Sequence, residues 1–361
     1  MSNITRESVI EILRKLPLPD TVDFTAADAF VDLAVMGSEA TVTLSPGYPL
    51  AGVAPALEQA LRTALLPLGI EKWTIAMDWH VPRVQPANQR AAIDGVKNII
   101  AVASGKGGVG KSTTSVNLAL ALVAEGARVG ILDADIYGPS QAQMLGVADK
   151  RPEMHAPNMM EPIEALGVKC ISMGNLITDK TPVVWRGPMV SGALQQLLNN
   201  THWGDIDYLI VDMPPGTGDI QLTLSQSVPV SAVVIVTTPQ DIALLDARKG
   251  IEMFRKVNVP VLGVVENMSL HTCTHCGHTE AIFGEHGGER LAEEYGIRLL
   301  GQLPLRADIR QQTDAGKPPV ADNPDSDISQ TYRSIARQVA AGLWRQSRTA
   351  DKTPEISIEE D

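Results

Sequence analysis

Residues 98–126 read NIIAVASGKGGVGKSTTSVNLALALVAEG, and they constrain the fold more than any other stretch. A β-branched apolar run ends near Ser104, four glycines follow within six positions, and an apolar helical pattern opens at Lys111. Gly105, Gly110, Lys111 and Ser112 stand in the spacing of a phosphate-binding loop between a strand and a helix. Glycines at such positions let backbone amides close around phosphate oxygens, and the helix start adds partial positive charge. The expected nucleotide loop is Gly105, Lys106, Gly107, Gly108, Val109, Gly110, Lys111, Ser112 and Thr113. Lys111 is expected to neutralise the β- and γ-phosphates, and the Ser112 hydroxyl to ligate Mg²⁺. A glycine-rich turn without a ligand is the alternative, and the order strand, loop, helix weighs against it.

The texture on either side agrees. From Ile99 onward short apolar runs, RVGILDAD, YLIVDMP, SAVVIVTTP and VPVLGVVEN, alternate with helical or loop segments, and LGVKCISMG adds a further strand near Cys170. Strands of continuous apolar character are buried on both faces, so an α/β fold with a mostly parallel sheet flanked by helices is expected. Residues 1–80 differ. They carry two amphipathic helical patterns, a hairpin around Gly37 and Ser38, and a third strand in EKWTIAMDW, which together read as a small α+β domain. Residues 81–98 read as a linker, 99–346 as the nucleotide domain and 347–361 as an acidic disordered tail.

A net charge of −12 argues against nucleic acid or an anionic membrane as partner. No apolar run reaches the roughly 18 residues of a membrane span, and the N-terminal pattern lacks the apolar core of a signal peptide. Three cysteines make no disulfide framework, and a reducing, cytoplasmic location follows as the expectation.

Several carboxylates suit the nucleotide. Asp133 and Asp135 close the second apolar run, at the strand edge where ligands bind in open α/β sheets. One is placed to orient water and the other to approach the metal, unless they only cap the next helix. Asp212 ends a buried run, a costly position unless its charge is paired or meets a cation. PPGTGD, ending in Asp219, reads as a second γ-phosphate-sensing segment. Lys106 is the odd element. From the start of the loop its stem points away from its own nucleotide, so it suits a phosphate held by a second copy of the chain, or else it is a solvated surface lysine.

Cys273 and Cys276 stand in C-x-x-C spacing in a loop between a strand and a helix. A redox dithiol lacks its usual thioredoxin-like context here. Two thiolates are too few for a closed metal site. Zinc can complete its shell with two of His271, His275, His278 and His286, and an iron–sulfur cluster with a second cysteine pair across a twofold axis. The dimer that Lys106 asks for favours the cluster over zinc.

SGKGGVGKST resembles the deviant Walker A motif of the nitrogenase-iron-protein, MinD and ParA group of P-loop ATPases. With DADIYGPS, VDMPPGTGD, TTPQ, ENMS and the cysteine pair, the chain resembles the Mrp/ApbC family of iron–sulfur cluster carriers. The resemblance implies a cytoplasmic homodimer that binds and hydrolyses ATP with Mg²⁺. It also implies a labile [4Fe–4S] cluster held between subunits at Cys273 and Cys276 and delivered to apo-proteins, with an assembly scaffold as donor. It makes Lys106 act across the dimer, Asp135 the switch residue beside the γ-phosphate and Asn267 the adenine contact. Residues 1–80 resemble the MIP18-type assembly domain, without any cysteine. A positioning ATPase of the MinD/ParA kind and an ATPase with a structural zinc are the alternatives.

Overall fold

The computed structural model describes residues 4–86, 90–176 and 187–350. The chain forms two compact units, residues 1–85 with 340–361 and residues 86–339.

The first unit is α+β. Helix α1 (Arg6–Leu13) precedes strands β1 (Phe30–Met36) and β2 (Glu39–Leu44), helix α2 (Ala54–Leu65) and strand β3 (Lys72–Met77). β1 and β2 form an antiparallel hairpin and β3 runs parallel to β2, with α2 as the crossover. Leu57, Leu61 and Leu65, one helical turn apart, bury the inner stripe of α2. The unit also takes in the end of the last helix, where Trp344 stacks on Phe24 at 3.8 Å between ring centres.

The second unit is built on strand β4 (Val96–Ala103), helix α3 (Lys111–Ala124), strand β5 (Val129–Asp133) and the short helix α4 (Gln141–Met144). Strands β6 (Glu153–Ala156), β7 (Met159–Glu161), β8 (Ile163–Ala165) and β9 (Val168–Ser172) follow, then helix α5 (Gly187–Asn199) and strand β10 (Ile206–Asp212). Next come α6 (Asp219–Ser227), β11 (Ala232–Thr237), α7 (Asp241–Lys256), β12 (Val261–Glu266), β13 (His271–Thr272) and β14 (Thr279–Glu280). The chain continues through α8 (Gly287–Tyr295), β15 (Arg298–Gln302), α9 (Ala307–Asp314), α10 (Pro319–Asp322) and α11 (Asp327–Ala350).

Eight strands form one sheet in the order β15-β12-β11-β4-β10-β5-β9-β8. Every pairing is parallel except that of the short edge strand β8 with β9. β10, β11 and β5 are buried along their whole length, which is why they read as unbroken apolar runs. With β4 between β10 and β11, the loop after Ala103 opens at the middle of the sheet's C-terminal edge. No helix among the described residues is long and apolar enough to cross a membrane.

Three boundaries differ from the sequence reading. β4 begins at Val96, ahead of the expected domain start at 99, because Val96 and Asn98 already pair with Ile206 and Tyr208. Polar Lys97 disguised that start, and its ammonium pairs with Asp207 at 2.9 Å. The last helix runs to Ala350, past the expected tail start at 347, and Arg348 pairs there with Asp28 at 3.2 Å. Residues from 340 group with the first unit and not with the nucleotide domain. The remainder of the acidic tail, 351–361, lies outside the described residues.

Candidate nucleotide site and cysteine hairpin

The loop leaves β4 at Ser104 and becomes helical at Lys111. Gly105 packs so close to α7 that a Cβ would lie 2.2 Å from the backbone carbon of Asp246. Gly110 takes φ +86°, and a Cβ on it would meet the Asn267 amide at 2.1 Å. These two positions admit only glycine. Gly110 is also the N-cap of α3 and offers no side-chain acceptor, so the first amides of that helix are left for a ligand. Lys111, Ser112 and Thr113 line a cavity of about 680 Å³, inside the usual range for a small-molecule site.

Lys111 and Asp212 form a buried ion pair, Nζ to Oδ1 2.6 Å, with the two side chains 6% and 0% exposed. A buried pair is tolerable when its remaining hydrogen-bonding capacity is met. Here the Ser115 hydroxyl donates to Asp212 Oδ1 at 2.8 Å and Gln141 Nε2 donates to Oδ2 at 2.8 Å. Gln141 also donates to the Ser112 carbonyl at 3.1 Å, so one amide holds both the loop helix and the strand-end carboxylate. Ser115 and Gln141 are contributors the sequence reading missed. Ser115 lies one helical turn after Lys111, a signal present in the sequence. Gln141 carries none, since its place depends on how α4 packs.

Asp133 and Asp135 divide the roles left open above. Asp133 is fully buried, and its Oδ2 accepts from the Ser140 and Gln141 amides at 2.8 and 3.0 Å and from the Ser172 hydroxyl at 3.0 Å. It therefore holds the start of α4 and reaches the nucleotide site through its neighbours, Gln141, Ser140 and the Asp135 amide, which donates to its Oδ1 at 3.2 Å. Burial, and then the charge of Asp212, push its carboxyl upward against the pull of those donors. Asp135 lines the cavity and is half-buried. Burial raises its carboxyl too, with Lys111 opposing and Asp212 adding.

Lys106 also lines the cavity, and its ammonium lies 3.4 Å from Gln240 Oε1, in the TTPQ segment. Gly107 and Gly108 are exposed on the loop and Val109 is buried beneath it. Asn267 donates from Nδ2 to the Val109 carbonyl at 2.9 Å and accepts the Met268 amide at 3.0 Å, which clips the end of β12 to the phosphate loop. Asp219 is exposed in the first turn of α6, and the cavity residue of that segment is Pro215.

The same cavity extends to His271 and Ile282, on either side of the cysteine loop. β13 and β14 pair as a two-residue hairpin, closed by the Cys273 amide to the His278 carbonyl and the Gly277 amide to the Cys273 carbonyl, both 2.9 Å. The backbone amides of Cys276 and His275, and then the Cys276 side chain, hydrogen-bond the Cys273 sulfur and hold its thiol below the ordinary range. Cys276 is exposed, whereas Cys170 is buried in β9 and its thiol is pushed up by burial. Two of the four histidines are engaged elsewhere, His271 with the Leu305 carbonyl at 3.2 Å and His286 with Glu289 at 2.7 Å. Among the described residues, no third His, Cys, Asp or Glu joins the two cysteines in a metal-holding group.

A family model described as the NUBPL iron-transfer P-loop NTPase, within ParA, matches residues 95–340. The chain belongs to this family. Iron–sulfur cluster carrier proteins of Pseudomonas fragi and Escherichia coli K12 are 62% identical over 265 residues and 57% identical over 275 residues. The alignments cover 72% and 75% of this chain, and 92% and 74% of those relatives. The iron–sulfur cluster transfer protein NUBPL of Mus musculus is 50% identical over 275 residues, covering 76% of this chain and 84% of its own. Among solved structures, a nucleotide-binding protein of Archaeoglobus fulgidus in complex with ADP is similar at TM-score 0.57 and 35% identity, over 65% of this chain and 91% of that one. The cell division ATPase MinD of Pyrococcus furiosus, at TM-score 0.50 and 21% identity over 67% and 98%, shares the fold. The family membership and the parallel P-loop fold agree with the sequence expectation.

Proposed function

We propose that this chain is an ATP-dependent iron–sulfur cluster carrier that works as a cytoplasmic homodimer and passes a [4Fe–4S] cluster from an assembly scaffold to apo-proteins. The observation that carries the reading is one cavity running from the phosphate loop to His271 and Ile282, which flank a cysteine pair that no third His, Cys, Asp or Glu joins among the described residues. Family membership and the names of the relatives support it.

The free amides at the start of α3 bind phosphate oxygens, and the Lys111 ammonium neutralises them by turning from Asp212, with which it pairs in this structure. Ser112, which lines the cavity, would hold Mg²⁺ through its hydroxyl, joined by Asp212 once Lys111 turns to phosphate, and the ion would neutralise charge developing on the transferred phosphoryl group. Asp135, its carboxyl raised by burial, orients the attacking water and takes its proton. Lys106 reaches the nucleotide of the second copy, and Asn267 borders the base. Cys273 and Cys276 bind the cargo as thiolates, and the amides around Cys273 favour that charged form. A second chain supplies the other two thiolates, completing the four that a cluster needs. The first unit serves as a docking or regulatory domain.

Anaerobic reconstitution is the test. Iron and sulfide near four each per dimer, lost in the Cys273→Ala, Cys276→Ala variant, are expected. Chelator-resistant zinc at one per chain that disappears in the same double-cysteine variant overturns the carrier reading in favour of a structural metal.

A further inference from the structure

A third set of metal-ligating side chains lies away from both the phosphate loop and the cysteine hairpin. His155 Nδ1 and His202 Nδ1 lie 2.8 and 3.1 Å from the same carboxylate oxygen, Oε2 of Glu161. The three donor atoms all fall within 4.8 Å of one another. The two imidazoles are stacked, ring centres 3.8 Å apart and planes 21° apart. We propose that His155, Glu161 and His202 form a binding site for one first-row divalent transition-metal ion, with zinc as its occupant.

The backbone builds the cluster from separate segments. Met160 donates its amide to the Asn200 carbonyl at 2.7 Å and accepts the His202 amide at 2.8 Å. That pairing fixes Glu161, the next residue, against His202. His155 stands where the β6–β7 register shifts, between Met154 paired with Met160 and Ala156 paired with Met159. An extra residue at such a bulge escapes strict alternation and is re-aimed, here toward the carboxylate. Three positions with no sequence proximity thus converge through main-chain geometry.

The chemistry selects the ion class. Two imidazoles and one carboxylate suit zinc, cobalt and nickel, whereas magnesium and calcium prefer an all-oxygen set. Ligand bonds of about 2.0–2.1 Å in a tetrahedron set donor atoms roughly 3.3 Å apart, so the two imidazole–carboxylate distances of 2.8 and 3.1 Å need only a few tenths of an ångström of spreading. All three side chains are between 41% and 43% exposed, open to an ion and to a water as fourth ligand. A bound ion replaces the protons now shared with Glu161 Oε2 and ties the β6–β7 hairpin to the segment after α5.

Zinc alone is titrated into the full chain carrying Cys273→Ser and Cys276→Ser, in competition with a chromophoric chelator at pH 7.5. One zinc per chain is expected, with affinity at least tenfold weaker in His155→Ala and in Glu161→Gln, and a zinc-dependent rise in melting temperature that those variants lack. Cobalt in the same background is expected to give visible d–d bands without thiolate charge transfer. His155→Ala lies on an exposed hairpin, and Glu161→Gln keeps side-chain volume, so each checks the other should one fold poorly. No uptake at micromolar zinc, or uptake that both variants leave unchanged, overturns the site. Because the cysteines are absent, failure here leaves the carrier reading standing.

Discussion

One strand, β10, carries an aspartate near each end, and the two have been put to opposite uses. At the N-terminal edge of the sheet, Asp207 accepts from Arg128 through Nη2, Nε and the backbone amide at 3.0, 3.2 and 3.0 Å, and from Lys97 at 2.9 Å. Burial raises its carboxyl, but the Arg128 donors and Lys97 outweigh that and hold it below the usual range. At the C-terminal edge, Asp212 meets one lysine, one hydroxyl and one amide, each of which also touches the phosphate loop or its helix. The first aspartate is closed by a rigid guanidinium fork whose remaining arm goes to Asp205, another carboxylate outside the cavity. The second is held by groups whose other neighbours form a ligand cavity. Electrostatic satisfaction makes one edge a clamp, and shared partners make the other a mechanism.

The largest contrast comes from the cations. Lys111→Ala is expected to weaken ATP binding about 100-fold or more and abolish phosphate release, whereas Arg128→Met leaves turnover within about twofold. A comparable loss from both ends would erase the distinction. Next in size is stability. Asp207→Asn is expected to cost about 1.5–3 kcal/mol at pH 7 by chemical denaturation, the range of hydrogen bonds to charged groups. The native carboxyl is depressed, so its contribution is present above the unfolded value of roughly 3.9 and disappears as pH falls through the native one. The deficit of the variant therefore shrinks below about pH 4. A deficit that stays constant down to pH 3 would assign the effect to packing. The smallest effect belongs to the thiols. The depressed Cys273 thiol should be alkylated a few-fold faster than Cys276 at pH 7, with a rate profile displaced to lower pH. Equal rates by mass spectrometry would remove the hydrogen-bond argument.

Much of the fold was legible because buried parallel strands announce themselves, and β5, β10, β11 and β12 are continuous apolar runs bounded by loops. The phosphate loop and its Lys111 were legible for the same local reason. What sequence could not convey was partnership across the fold. The role of Asp133 as an anchor for α4 depends on Ser172, 39 positions away. Gln141 acts on Asp212 at a separation of 71. The cluster at Glu161 needs a backbone bridge from Met160 to Thr201 that no periodicity signals. Small hairpins such as β6–β7 and β13–β14 are equally silent, since strands of two to four residues carry too little alternation to read.

The Asn267 amide has a mechanical consequence. Its bond to the Val109 carbonyl fastens one end of a five-residue tether, 267–271, whose far end is pinned where Leu305 donates its amide to the Leu270 carbonyl and its own carbonyl meets the His271 ring. Between those ends Ser269 is fastened to the Leu303 carbonyl by its amide and its hydroxyl, and the backbone amide of Asn267 to the Thr237 carbonyl. The cysteine hairpin is thus rooted in a short braced segment whose first residue also grips the phosphate loop.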